Sequence, residues 1–261
     1  MVGRDRHLSF EACFNFRDLG GYETTDGRRV RWGALFRSDS LESLSDGDRE
    51  VLRTLGLRTA VDLRSSAERA RGAARLTDIN GVSVHHAPLF EEHARPFQPA
   101  ELTSVEPPPG ETYLAIANAG TEALGAAVRA IAEGEHAVVF FCAAGRDRTG
   151  MVAALILSVL GVPDEAIVAD YLLSDRALEP AIAWSEANAP ARAAEFAALP
   201  DWLLHTSPGV MVAFLDGLRA QHGSIEAYLA AVGAGPDVVS TLKSRLLEEA
   251  AGASAEVTGA L

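Results

Sequence analysis

The run Val138–Val139–Phe140–Phe141–Cys142–Ala143–Ala144–Gly145–Arg146–Asp147–Arg148–Thr149–Gly150 sets a cysteine and an arginine six positions apart. A thiolate at Cys142 is a nucleophile, and Arg148 offers a planar fork of donors that can bind two oxygens of an oxyanion at once. Asp147 can give a proton to a leaving oxygen. The Thr149 hydroxyl can donate to sulfur both during attack and when sulfur leaves. Ala143, Ala144, Gly145 and Gly150 are small enough to let backbone N–H groups face one tetrahedral anion, with Arg146 adding a cation at its mouth. Together these groups suit transfer of a phosphoryl group to Cys142 and then to water.

Such a loop works only if its flanks hold it. The β-branched and aromatic residues of Ala137–Phe141 predict a strand. Thr149–Leu160 is apolar on every face and stops at Gly161, with Pro163 beyond, as a buried helix would. A strand-to-helix turn points successive N–H groups at the helix N-terminus, where the helix dipole favours an anion and a thiolate. A bare six-residue Cys-to-Arg spacing would fit an inert buried cysteine better. Gly145, Asp147, Thr149, Gly150, the strand and the helix together reverse that balance.

Further strands are predicted at Leu35–Arg37, Thr59–Leu63 and Val82–His85, alternating with helical segments, so the fold class is α/β with a central sheet flanked by helices. Ser45–Leu55 reads as a helix opened by a capping box, Ser45 with Asp48. Ser65 with Glu68 opens a second, short one. Pro96–Gly110, with Pro99, Pro107, Pro108 and Pro109, is expected to be a surface loop or flexible excursion. Ser174–His205 is alanine-rich and suits amphipathic helices, a helical insertion or lid within one domain spanning 1–261. Helices are also expected from Ser207–Pro208, after Gly223–Ser224, and after Pro236.

At 261 residues and 48% hydrophobic, the chain can bury a large core. A net charge of −13 speaks against gripping nucleic acid or an anionic membrane surface, so positive charge must be gathered locally if the substrate is anionic. Lys243 is the only lysine. The two cysteines, Cys13 and Cys142, form no metal-binding or disulfide pattern. No signal peptide or membrane span is legible, and the reading is a soluble, cytoplasmic chain, with non-classical secretion left open. His85 and His86 are adjacent on a strand and face opposite ways, so they cannot serve one site.

Cys142–Gly150 resembles the signature of the protein tyrosine phosphatase superfamily. Its CAAGRDRTG form is similar to the PtpB-like bacterial tyrosine/lipid phosphatases. Asn15–Gly21 resembles the NFRDLGG element of that family, Leu35–Ser38 its following strand, and Val61–Ser65 its DLRS turn. Ala169–Leu172 and Gly223–Leu229 extend the likeness, which runs from about 8 to 249. The resemblance implies a dual-specificity hydrolase without metal or cofactor, a phosphocysteine intermediate, and a general acid within the loop at Asp147. It implies that Arg146 stands where relatives carry a lysine favouring phosphoinositides. Asp62, Arg64 and Arg17 either help bind substrate or serve as structural contacts, and Arg37 carries the same ambiguity. One departure is Phe141, where most relatives have His.

The partner implied is a phosphorylated protein, lipid or small molecule, and the oligomeric state is unknown. Phosphotyrosine proteins or phosphoinositides are the first reading. A sugar or nucleoside phosphate in a biosynthetic pathway is the second, and a phosphate-binding pseudophosphatase a distant third. A rhodanese-like sulfurtransferase shares the strand, loop and helix, but Asp147–Arg148–Thr149 suits phosphoryl transfer better.

Overall fold

The computed structural model describes residues 4–72, 76, 79, 81–91, 111–135, 137–199 and 201–250. The proline-rich segment 96–110 lies outside the described residues.

Five strands form one sheet: β1 (Arg17–Asp18), β3 (Leu35–Ser38), β4 (Thr59–Asp62), β5 (Ser83–His86) and β6 (Val138–Phe141). Their order is β1-β3-β6-β4-β5. Only the β1–β3 pair is antiparallel. A separate antiparallel pair joins β2 (Arg28–Val30) to β7 (Leu247–Glu249).

Strand β6 is central and covered on both faces, which is why its sequence is a continuous apolar run rather than an alternation. Val138 and Phe140 face one core with Leu35 and Val61, whereas Val139 and Phe141 face the other with Phe16, Phe36 and Ala60. The three parallel neighbours β3, β6 and β4 end at the same level, with Ser38 opposite Phe141 and Asp62 opposite Phe141. Their next residues, Asp39, Cys142 and Leu63, therefore converge at the carboxyl edge of the sheet, where α/β folds bind ligands.

Helix α1 (Asp46–Thr54) starts with the expected capping box, in which Ser45 and Asp48 exchange backbone N–H bonds. Helix α2 (Ser66–Arg71) does the same with Ser65 and Glu68. Helices α3 (Glu111–Ala119) and α4 (Thr121–Glu133) precede β6. Helix α5 (Asp147–Leu160) is buried on nearly all its length and ends at Gly161, whose φ of 88° is the left-handed stop that favours glycine. Helix α6 (Asp164–Leu172) follows, then a 3-10 turn at Leu173–Ala177 and the helices α7 (Leu178–Asn188), α8 (Pro190–Ala197) and α9 (Asp201–Leu204). The chain continues with α10 (Pro208–His222), α11 (Ile225–Ala231) and α12 (Pro236–Leu246). Among the described residues no helix is long and apolar enough to cross a membrane.

Candidate active site

Cys142 follows β6 directly and is 1% exposed. The loop behind it is held by its carbonyls. Ser40 N–H donates to Ala143 O (3.1 Å), Asn15 Nδ2 to Ala144 O (2.9 Å) and Arg37 Nη2 to Gly145 O (2.8 Å). Gly150 N–H closes onto Arg146 O at 2.7 Å. With the carbonyls tied outward, no N–H of residues 143–147 has a protein acceptor among the described residues. Orphan N–H groups at a helix N-terminus form an anion cradle. Gly145 is needed for this turn: its φ is +67°, and a side-chain carbon there would lie 2.6 Å from Asp39 N and Ser38 O.

The partners of the loop are themselves buried. Asp39 accepts from Phe14 N–H, Asn15 N–H (3.0 Å) and the Cys13 thiol (2.8 Å). Burial and the Asp39 carboxylate push the Cys13 thiol well up, so this second cysteine is a neutral donor on the far core. Arg37, 1% exposed, also donates to Asp170 Oδ2 (2.6 Å), and Arg17, fully buried, donates to Asp170 Oδ1 (3.0 Å). Burial alone would raise the Asp170 carboxyl, but the two guanidinium groups outweigh it and hold it below the ordinary range. Burial and the positive charge of Arg17 bring Arg37 down to about 10.

Arg148 is fixed end-on. Its Nη1 and Nη2 donate to Glu68 Oε2 (2.5 Å) and Oε1 (2.7 Å), and its guanidinium lies 4.9 Å from the centre of the Phe90 ring. Nε has no acceptor among the described residues, and that edge of the fork has the geometry to meet an oxyanion. Burial pushes the Glu68 carboxyl up, yet Arg148 and the Ser65 N–H prevail and hold it at about 2. Cys142 is an electrostatic neighbour of both Arg148 and Arg37.

Asp147 opens α5. Its Oδ1 accepts from the Tyr113 hydroxyl at 2.6 Å, and Arg146 Nε lies 3.2 Å from both carboxylate oxygens. Burial pushes this carboxyl up, and Arg146, Tyr113 and Arg148 together bring it below the usual value. The Thr149 hydroxyl is buried without a hydrogen-bond partner among the described residues, so its bond to sulfur is not formed in this structure.

Arg17, Asp62 and Arg64, expected either to bind substrate or to act as structural contacts, are all buried in ion pairs. Arg17 is spent on Asp170, Asn15 and Ser174. Arg64 donates to both oxygens of Asp62 (3.0 and 2.9 Å) and to Glu42 (2.7 Å), so the DLRS turn is pinned onto itself. His86 Nε2 meets Arg64 O at 2.8 Å, while His85 is exposed. Arg146 donates to Leu203 O (2.6 Å) and Leu204 O, linking the loop to the end of the helical segment. Phe141, in place of the usual histidine, is fully buried, with Arg64 5.4 Å from its ring centre.

Glu68 was legible only as a helix cap, Asp170 only as part of a familiar ADYL string, and Tyr113 carried no sequence signal. A cavity of about 100 Å³ lies beside the loop, between Ala144 and Arg146 on one side and Leu178, Ala181, Phe196 and Leu203 on the other.

A buried cysteine at a strand end, an amide cradle and a fixed arginine define the class of cysteine-dependent phosphoester hydrolases. Residues 8–248 match the model of the tyrosine phosphatase family, and the chain belongs to that family and is a phosphatase. A tyrosine-protein phosphatase of Nostoc commune is 31% identical, the match covering 82% of this chain and 74% of that one. The triple specificity protein phosphatase PtpB of Mycobacterium tuberculosis is 36% identical over 62% of this chain and 67% of its own. The structure of P. aeruginosa TpbA in complex with pTyr aligns with 66% of this chain and 91% of that one, at 19% identity and a TM-score of 0.33.

Proposed function

We propose that the chain hydrolyses phosphomonoesters of phosphotyrosine proteins or phosphoinositides through a phosphocysteine at Cys142. The observation that carries this is the loop itself: its carbonyls are tied outward to Ser40, Asn15 and Arg37, leaving amides and one fixed arginine around a single buried sulfur. The Cys142 thiolate attacks phosphorus and the ester P–O bond breaks. Asp147 supplies the proton that leaves with the alcohol. Water then attacks the phosphocysteine, Asp147 takes its proton, and the S–P bond breaks to restore the thiolate. Arg148 grips equatorial oxygens most tightly as charge spreads in the transition state. The unpartnered Thr149 hydroxyl donates to sulfur as it leaves.

Asp147 is held toward its ionised form because Arg146, Tyr113 and Arg148 favour its charge. A bound phosphate dianion offsets Arg148 and repels the carboxylate, which raises its pKa toward the proton-donating form. Arg146 adds a cation beside the cradle while holding Leu203 and Leu204, and 174–205 serves as a lid within one domain. A reducing cytoplasm suits the unpaired thiol.

Phosphate release by the wild type and by Cys142→Ser, across a phosphotyrosine peptide, phosphoinositides, sugar phosphates and nucleotides, tests the proposal. Turnover of peptide or lipid that vanishes in Cys142→Ser, with phosphate binding kept, is expected. A single small metabolite turned over far faster would overturn the substrate assignment, and substantial activity in Cys142→Ser would overturn the covalent route.

A further inference from the structure

The Asp147 carboxylate is gripped from two sides, by Arg146 at its own helix terminus, whose Nε lies 3.2 Å from both oxygens, and by Tyr113, 34 positions earlier in the chain, whose hydroxyl meets Oδ1 alone. Tyr113 is 4% exposed on α3, and Tyr171, on α6, is 3% exposed. Their hydroxyls are 2.9 Å apart and their rings meet edge to face at 87°. The Tyr113 ring is also packed against Phe214 of α10, 6.0 Å between centres. Three helices therefore place one hydroxyl against Oδ1 of Asp147.

Proton counting fixes the direction of this chain. A carboxylate can only accept, so Tyr113 donates its proton to Oδ1 and its own oxygen is left to accept from Tyr171. Both tyrosine hydroxyls are then satisfied inside the core, and the arrangement needs both rings. The bond to Oδ1 also persists when Asp147 is protonated, provided the proton sits on Oδ2. A hydroxyl pinning one oxygen thus decides which oxygen carries the proton.

We infer that Tyr113, backed by Tyr171, is a positioning residue that anchors Oδ1 of Asp147 and reserves Oδ2 to hand its proton to the leaving group. The inference rests on the reading of Asp147 as the general acid. The groups facing Asp147 are Arg146 from the loop just before α5, Arg148 from α5, Tyr113 from α3 and Tyr171 from α6. Arg146 and Arg148 remain in place when a tyrosine hydroxyl is removed, so the field of the cations is unchanged and only the anchor is lost.

Removing a hydrogen bond from the charged form favours the neutral one, so Tyr113→Phe moves the pH at which the acid loses its proton upward, by about one unit. The same change lets the carboxyl rotate away from the leaving group. Tyr113→Phe is expected to lower the ratio of alkyl to nitrophenyl phosphate turnover about tenfold. It is also expected to shift the alkaline fall of kcat to higher pH. Tyr171→Phe should act in the same direction and more weakly, since it loosens only the support of Tyr113. The phenyl rings keep the edge-to-face contact between 113 and 171 and the packing of 113 against Phe214, so folding is preserved.

The pH profile of kcat is measured with an alkyl and an aryl phosphate for the wild type, both Tyr→Phe variants, Asp147→Asn and the Tyr113→Phe/Asp147→Asn double variant. If Asp147→Asn slows both substrates equally, Asp147 is not the acid and the underlying reading fails. If Asp147→Asn is selective for the alkyl substrate but Tyr113→Phe leaves both the ratio and the alkaline fall unmoved, the anchor itself is overturned. Support is a selective, pH-shifted Tyr113→Phe whose effect disappears on the Asp147→Asn background.

Discussion

The phosphate loop and the helical segment that follows α6 are held in opposite ways. Around Cys142, the carbonyls of Ala143, Ala144, Gly145 and Arg146 each have a named donor, and two of those donors, Asn15 and Arg37, are themselves held by the buried carboxylates Asp39 and Asp170. Across 178–204 the ties are few. Among the described residues, α8 has no buried side chain and α7 only Ala181 and Ser185. The segment is joined to the rest by Arg146 at its end, by an exposed Arg71–Glu195 pair at 2.9 Å, and by the Phe14 and Trp184 rings 6.2 Å apart. The difference separates two tasks. An anion cradle must be in place before substrate arrives, whereas the lid proposed for 174–205 must let substrate in, and low local stability is where moving parts are found.

The largest effect is expected at Asp170. Asp170→Asn leaves Arg17 and Arg37 buried without their counter-charge, a loss of about 3–5 kcal/mol in denaturant unfolding. It also frees Arg37 from its hold on Gly145 O, so activity falls with stability. Glu195→Gln, which breaks the exposed pair on the helical segment, should stay within about 0.5 kcal/mol. Equal losses from the two variants would erase the contrast between the regions.

Glu68 gives the next effect and a pH signature. Its folded pKa, about 2, lies below the ~4.3 of an unfolded glutamate, so its stabilising contribution is complete above about pH 4.3 and is lost as pH falls through 2. Glu68→Gln should therefore weaken folding at neutral pH by about 3 kcal/mol at most and flatten the acid limb of stability between pH 4.3 and 2. The variant should also lose about 10²-fold in kcat/KM, because Arg148 loses its end-on support. An unchanged acid limb would show that Arg148 is held by its surroundings without Glu68.

How much of this was legible follows from distance along the chain. Local signals served well: both capping boxes, the glycine stop after α5, and the strand-loop-helix around Cys142 depend on residues within a few positions of one another. The short strand Arg17–Asp18 gave little periodicity and is defined by its pairing with β3; β7 forms only by pairing with β2, from the far end of the chain. At the site, the cysteine and arginine were readable because they share one loop. Glu68 reaches Arg148 across 80 positions, and Asp170 reaches Arg17 across 153. Charge type alone gave no sign of those pairings. The same limit explains Arg17, Asp62 and Arg64: a charged residue in a family motif reads equally as a ligand for substrate or as an ion pair, and the partners that the fold brings to it lie far along the chain or behind a turn.

Arg146 carries a smaller effect than Asp170 or Glu68 but a more discriminating one, because it belongs to both regions. Its guanidinium donates to Leu203 O and Leu204 O while its Nε faces Asp147, so one side chain ties the end of the helical segment to the Asp147 carboxylate. Arg146→Ala removes two hydrogen bonds to carbonyls that water can replace and the Nε contact with the partly exposed Asp147 carboxylate, so global stability should fall by about 1–2 kcal/mol. Locally the change is larger in proportion, since that energy is a large share of what holds a segment with almost no buried side chains. Amide exchange across 190–204 should speed up about fivefold, while amides of α5 keep their protection. Arg146→Lys retains the charge beside Asp147 but offers only one point of contact, so it should restore kcat more than it restores protection of the segment. Faster exchange in α5 with none in 190–204 would place the weak point in the cradle and reverse the comparison.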